Sequence, residues 1–117
     1  MTAKDLTTRA TIHVGDIFEH SGDFMQVVKV TKKMVVVRPI ECDFVGNADS
    51  YGWMHQYMPK PDVFADSDPW LTREECAKGK RLKVIDFSQA KNNPCIKFNH
   101  EYFHLWDGTP SVFDSYN

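Results

Sequence analysis

The chain has 117 residues, with 14 Lys and Arg against 16 Asp and Glu and a formal net charge of −2. That length is one domain with one core, and the near-balance of charge excludes a protein that binds or mimics polyanions by bulk charge. Apolar residues at 42% and aromatic residues at 13% exclude a disordered chain, which is poor in both.

Residues 1–11 are polar and mixed in charge and read as a flexible N-terminal arm, ahead of a single β-rich domain over 12–117. The arm lacks the apolar run of a signal peptide, and no segment approaches the roughly 18–20 apolar residues of a membrane helix. Cys42, Cys76 and Cys95 are widely spaced, and an odd count without CxxC points to reduced thiols in a cytosol.

Val14-Gly15-Asp16-Ile17-Phe18 reads as a short first strand with a bend at Gly15-Asp16. Ser21-Gly22-Asp23 is turn chemistry. Residues 24–30 and 34–40 are β-branched and aromatic, and the polar break Thr31-Lys32-Lys33 between them predicts a hairpin. Pro39 cannot donate to a ladder, so it places that end of the strand at an edge or a bulge. Residues 41–68 are less regular. Gly46 to Ser50 reads as a loop and residues 53–58 as a short strand, which Pro59 and Pro61 are expected to stop.

Thr72-Arg73-Glu74-Glu75 has capping-box spacing and Gly79 suits a C-cap, so a two-turn helix is predicted over 72–78. Residues 81–87 alternate as a strand, with Leu82 and Val84 on one face. Asn92-Asn93-Pro94 is a turn, residues 95–98 begin another strand, and Asp107-Gly108 is a favoured hairpin turn before a last strand over 112–116. Six or seven short strands and one short helix describe a mainly β (α+β) fold. The candidates are a small, strongly bent antiparallel sheet and an SH3-like barrel.

His100-Glu101-Tyr102-Phe103-His104 matches HExxH, the zinc peptidase motif in which two His ligate the metal and the Glu is the base. That chemistry needs a helix, so that residues four apart share a face. Pro94 and Asp107-Gly108 leave little room for one, and Tyr102, Phe103 and Trp106 suit a strand. On a strand the two His lie roughly 13 Å apart and cannot share an ion. The strand reading places Phe103 and Leu105 toward the core and His100, Tyr102 and His104 on the other face. A short helix capped by Asn99 is the remaining option.

Two further surfaces stand out. Lys78, Lys80, Arg81 and Lys83 form the densest basic stretch, a candidate contact for nucleic acid, although turns and edge strands carry Lys routinely. The segment Tyr51 to Met58 is rich in Trp, Tyr and Met, residues favoured where proteins bind proteins. Trp53, His55, Tyr57, Tyr102 and His104 are therefore the candidate interaction surface.

Val14-Gly15-Asp16-Ile17-Phe18, Phe24-Met25-Gln26-Val27-Val28-Lys29-Val30-Thr31, Val36-Val37-Arg38-Pro39-Ile40 and Leu105-Trp106-Asp107-Gly108-Thr109-Pro110 occur in an order and spacing that resembles an uncharacterised family of small phage and prophage proteins. The likeness covers most of residues 12–116 and is poor over 41–80. It implies an accessory protein with no assigned activity, in which His100, Glu101 and His104 are not fixed as those types. The expectation is a non-enzymatic protein without a cofactor, monomer or homodimer, that binds a host macromolecule, a protein foremost, in the bacterial cytosol, in a host-defence or host-regulation role. A nucleic-acid-binding small β-barrel and a zinc peptidase are the other readings.

Overall fold

The computed structural model describes residues 12–32, 34–47, 54–86, 94–98 and 100–114. The expected arm over 1–11 and the candidate Trp53 lie outside them. Among the described residues, nine strands and one helix follow in chain order: β1 (Ile17–His20), β2 (Asp23–Val30), β3 (Met34–Asn47), β4 (Met54–Phe64), α1 (Arg73–Lys78), β5 (Lys80–Lys83), β6 (Ile85–Asp86), β7 (Pro94–Phe98), β8 (Glu101–Leu105) and β9 (Ser111–Asp114). All described strand pairs are antiparallel, in the path β6-β7-β8-β1-β2-β3-β4-β9, with β5 also on β3.

The local signals act where they were expected. Ser21 and Gly22 both take positive φ, 45° and 89°, so β1 and β2 join through a two-residue turn of the handedness that strand twist favours. Thr31 closes the β2–β3 hairpin, its hydroxyl accepting the Met34 N–H at 3.1 Å. Thr72 accepts the Glu75 N–H at 3.1 Å while Glu75 accepts the Thr72 N–H at 3.0 Å, the reciprocal capping box. Gly79 follows α1 with φ 98°, and a Cβ there would sit 2.5 Å from Val36, so only glycine fits.

The main core lies inside the bend of the sheet. Phe18, Met25, Val27, Val35, Val37, Ile96, Phe98 and Phe103 fill it together with Leu71, Cys76 and Val84. A second cluster, Ile17, Phe24 and Ile40 with Tyr57, Phe64 and Trp106, lies on the other face of β1 and β2. Strand alternation accounts for the division: Phe18 enters one core and its neighbour Ile17 the other.

The SH3-like barrel is corrected to an open, strongly bent sheet. Residues 80–86 almost bridge it, with β5 on β3 and β6 on β7. Val84 between them points into the core and belongs to neither strand, so the chain spans the gap without a continuous ladder.

Two local expectations fail for identifiable reasons. Pro59 and Pro61 do not stop the middle strand, since β4 runs through both. Ile40 pairs with Phe64 and Cys42 with Pro59, so two steps along β3 face five along β4. Prolines sit comfortably where the ladder is interrupted. Pro39 is a buried residue inside β3, at the position where β5 has ended and this bulge begins. The Asp107-Gly108 pair is likewise not a hairpin turn, because β8 pairs with β1 and β7 while β9 pairs with β4. Asp107 instead accepts the Thr109 hydroxyl at 2.7 Å and its N–H at 2.9 Å, an Asx turn in a crossing loop. These bonds, the hydroxyl's above all, hold the Asp107 carboxyl below its ordinary range.

Two polar contacts fix the covering segments. Gln26 is 3% exposed, donates from Nε2 to Asp62 Oδ1 at 2.8 Å and accepts the Asp62 N–H at 2.8 Å. Asp62 has φ 67°, so the pair pins a bulge whose backbone is not self-supporting. Trp70 is held at both of its N–H groups, by Asp68 at 2.8 Å and Asp23 at 2.9 Å, while its ring stacks edge-on against Phe103 at 5.3 Å. Burial, aided by the charge of Asp23, pushes the Asp68 carboxyl up to about 6 against the pull of the Trp70 N–H.

Both contacts are testable. Gln26→Leu leaves Asp62 without either bond and is expected to cost about 1–3 kcal/mol in urea unfolding; a change below about 0.5 kcal/mol contradicts the role given to the pair. The raised Asp68 value means that the folded state holds the proton more tightly than the unfolded chain, in which the carboxyl titrates near 3.9. Stability from this group is therefore complete below the unfolded value and is lost as pH rises through about 6. Asp68→Asn is expected to stabilise the protein at about pH 7.5 and to match the parent near pH 4. An equal effect at both values contradicts the assignment.

Candidate functional site

The second half of β3, with β4 and β9, forms a three-stranded wing. Phe44 is opposite Tyr57, Tyr57 is opposite Ser111 and His55 is opposite Phe113, so these five side chains share one face. The Phe44 ring lies 5.8 Å from both the His55 and the Tyr57 rings. Phe44 is 55% exposed and Phe113 45%, whereas Tyr57 is half-buried and reaches the second core. The face is thus apolar, aromatic and anchored at its centre.

Its support is polar. Ser111 is 5% exposed, donates its hydroxyl to Glu19 Oε1 at 2.6 Å and accepts the Gly22 N–H at 2.8 Å. A Cβ at Gly22 would lie 3.1 Å from the Tyr57 ring, and the residue has φ 89°, so both close packing against the tyrosine and the turn favour glycine. The wing is therefore tied to the body at three places: Asp62 to Gln26, Ser111 to Glu19, and Ser111 to the turn.

The sequence candidates divide. His55 and Tyr57 lie on this face, joined by Phe44 and Phe113, which sequence reading passed over. The alternation of Cys42 and Phe44 beyond Ile40 is the signal that could have shown β3 continuing into the wing. Tyr102 and His104 lie on β8, with three strands between it and β4 along the sheet. The Lys97 ammonium stands 5.5 Å from the Tyr102 ring. His104 is flanked by Cys95 and Glu19 on the adjacent strands, and its Nδ1 is buried with no hydrogen-bond partner among the described residues.

The HExxH segment is not helical. His100 is exposed in the turn before β8, and Glu101 to His104 belong to the strand, with Phe103 buried. Glu101 is 3.2 Å from the His20 imidazole. With His100 in the turn and His104 within the strand, the two do not share the helical face that the metal reading requires. Among the described residues no three His, Cys, Asp or Glu side chains are grouped to hold a metal ion.

The basic stretch is partly neutralised. Lys78 pairs with Glu74 at 3.1 Å and Lys80 with Glu75 at 2.9 Å. The Thr72 N–H and then Lys80 hold the Glu75 carboxyl below its ordinary range. Arg81 and Lys83 are exposed on β5, and Arg81 shares its neighbour Val36 with Lys29 of β2. Cys42, Cys76 and Cys95 form no disulfide, and burial raises both Cys42 and Cys76, which disfavours the thiolate a nucleophile needs. No helix among the described residues is long and apolar enough to cross a membrane.

Compared with known protein families, with curated proteins and with solved structures, the chain matches none.

Proposed function

We propose that this chain is a non-catalytic binding protein that docks another protein on the aromatic face of its wing, through Phe44, Tyr57 and Phe113 with His55 beside them. The observation that carries this reading is the pairing of two large, half-exposed phenylalanines with a tyrosine already fixed in the second core. Rigid aromatic side chains bury area at small entropic cost, and truncating them is what most weakens protein interfaces. The three ties to the body favour the same reading, because a surface held in place before binding loses little freedom on binding. Nucleic acid is the weaker partner: two of its four candidate cations are spent on carboxylates, and the exposed rings do not lie among the remaining two. The resemblance to phage and prophage accessory proteins supplies the setting, a host protein in the bacterial cytosol.

Tagged protein passed through a bacterial lysate is expected to retain a specific protein that the double variant Phe44→Ser, Phe113→Ser does not retain. With that partner purified, each single substitution is expected to weaken binding by roughly tenfold. Retention that survives the double change in a folded variant contradicts the assignment of this face. Retention of nucleic acid alone, lost on Lys80→Ala with Arg81→Ala, contradicts the class of partner.

A further inference from the structure

We propose that a cleft beside α1 binds a small oxyanion, phosphate or carboxylate, between Arg38 and Arg73. The cleft holds about 340 Å³ and is lined by Arg38, Asp66, Arg73 and Ala77. This volume lies at the lower end of those that take small ligands. It shares no residue with the aromatic face and does not rest on the docking role given to that face.

The local structure explains why these side chains meet. Residues 73 and 77 are one helical turn apart and lie on one side of α1. Cys76 turns into the core, and Glu74 and Lys78 pair with each other. Arg38 approaches from β3 and is held at two points: Nε donates to the Cys76 carbonyl at 2.8 Å, and the guanidinium lies 4.2 Å from the centre of the Phe64 ring. A guanidinium stacked on a ring and tied through Nε has surrendered most of its rotamer freedom. Its two terminal nitrogens form the fork that matches two oxygens of a phosphate or carboxylate.

The charges in the cleft are not neutralised by ion pairs among the described residues. Lys60, Lys78 and Lys80 each have a carboxylate within 3.2 Å. Among the described residues no ion pair involves Arg38, Arg73 or Asp66, although all three line the same cleft. Two arginines and one aspartate leave a single net positive charge there. The arginines supply paired, charge-assisted donors. Asp66 opposes the anion and sets the limit on affinity.

The test is a titration of the full chain with inorganic phosphate and, separately, with acetate. Sodium chloride holds the ionic strength constant, and the backbone amides of Asp66 and Ala77 are followed by NMR. A saturable shift with either anion is expected, and the tighter of the two distinguishes a phosphate ligand from a carboxylate one. Arg73→Ala is expected to weaken binding by roughly tenfold and Arg73→Lys by less, because lysine keeps the charge and loses the fork. Asp66→Asn is expected to tighten it by about threefold, since removing a like charge favours the anion. Arg73 and Asp66 are exposed, so neither substitution disturbs the core. Shifts that rise without saturation for both anions, or a titration unchanged by Arg73→Ala, overturn the proposal.

Discussion

Gln26 and Asp62 exchange two hydrogen bonds across 36 residues of sequence, and the placement of the wing depends on them. β4 leaves its ladder with β3 between Pro59 and Phe64, and a free loop there would let the outer strands swing. The Gln26 amide is almost wholly buried and supplies one donor, for the Asp62 carboxylate, and one acceptor, for the Asp62 N–H. A buried amide satisfied on both sides is specific: one residue of slippage in β4 would strand it, at a cost comparable to a lost hydrogen bond. The positive φ of Asp62 is tolerable because the same side chain is held.

From that pin the remaining features follow in layers. The second core forms where β4 covers the outer face of β1 and β2, bringing Tyr57 and Phe64 over Phe24 and Ile40. Once Tyr57 is fixed, Phe44 and Phe113 flank it on the same face without burying themselves. Farther along the chain, Phe64 lies against Arg38, and Arg38 in turn holds the carbonyl of Cys76, so the wing and α1 share one strut. Trp70 closes the main core between two carboxylates, and the raised carboxyl of Asp68 makes stability respond to pH there.

Much of the fold was legible because it is specified locally. Ser21-Gly22 needs only its own backbone to turn, and Thr72 with Glu75 caps a helix across three residues. The alternation of Ile96, Phe98 and Phe103 is enough to make strands of a segment whose letters spell a zinc motif. The course of β4 was not legible, since prolines at 59 and 61 argue for a stop unless the long-range bond from Gln26 is known. Half of the candidate surface was found for the same reason that half was missed. His55 and Tyr57 lie in an aromatic run, whereas Phe44 and Phe113 are single letters whose exposure is decided by strand partners elsewhere in the chain. Asp-Gly at 107 illustrates the limit of turn chemistry, which fixed a local bend while the pairing of β9 with β4 decided where the chain went.

The aromatic face of the wing is proposed as the place where this protein meets another. Site-specific photo-crosslinking in living bacteria tests it most directly, with a photoreactive phenylalanine analogue placed at position 44, at position 113, or at position 14. Val14 is 64% exposed but lies outside the wing and serves as the reference. The same single protein adduct is expected from positions 44 and 113 and none from position 14. Adducts of equal yield from all three positions, or one from position 14 alone, would contradict it.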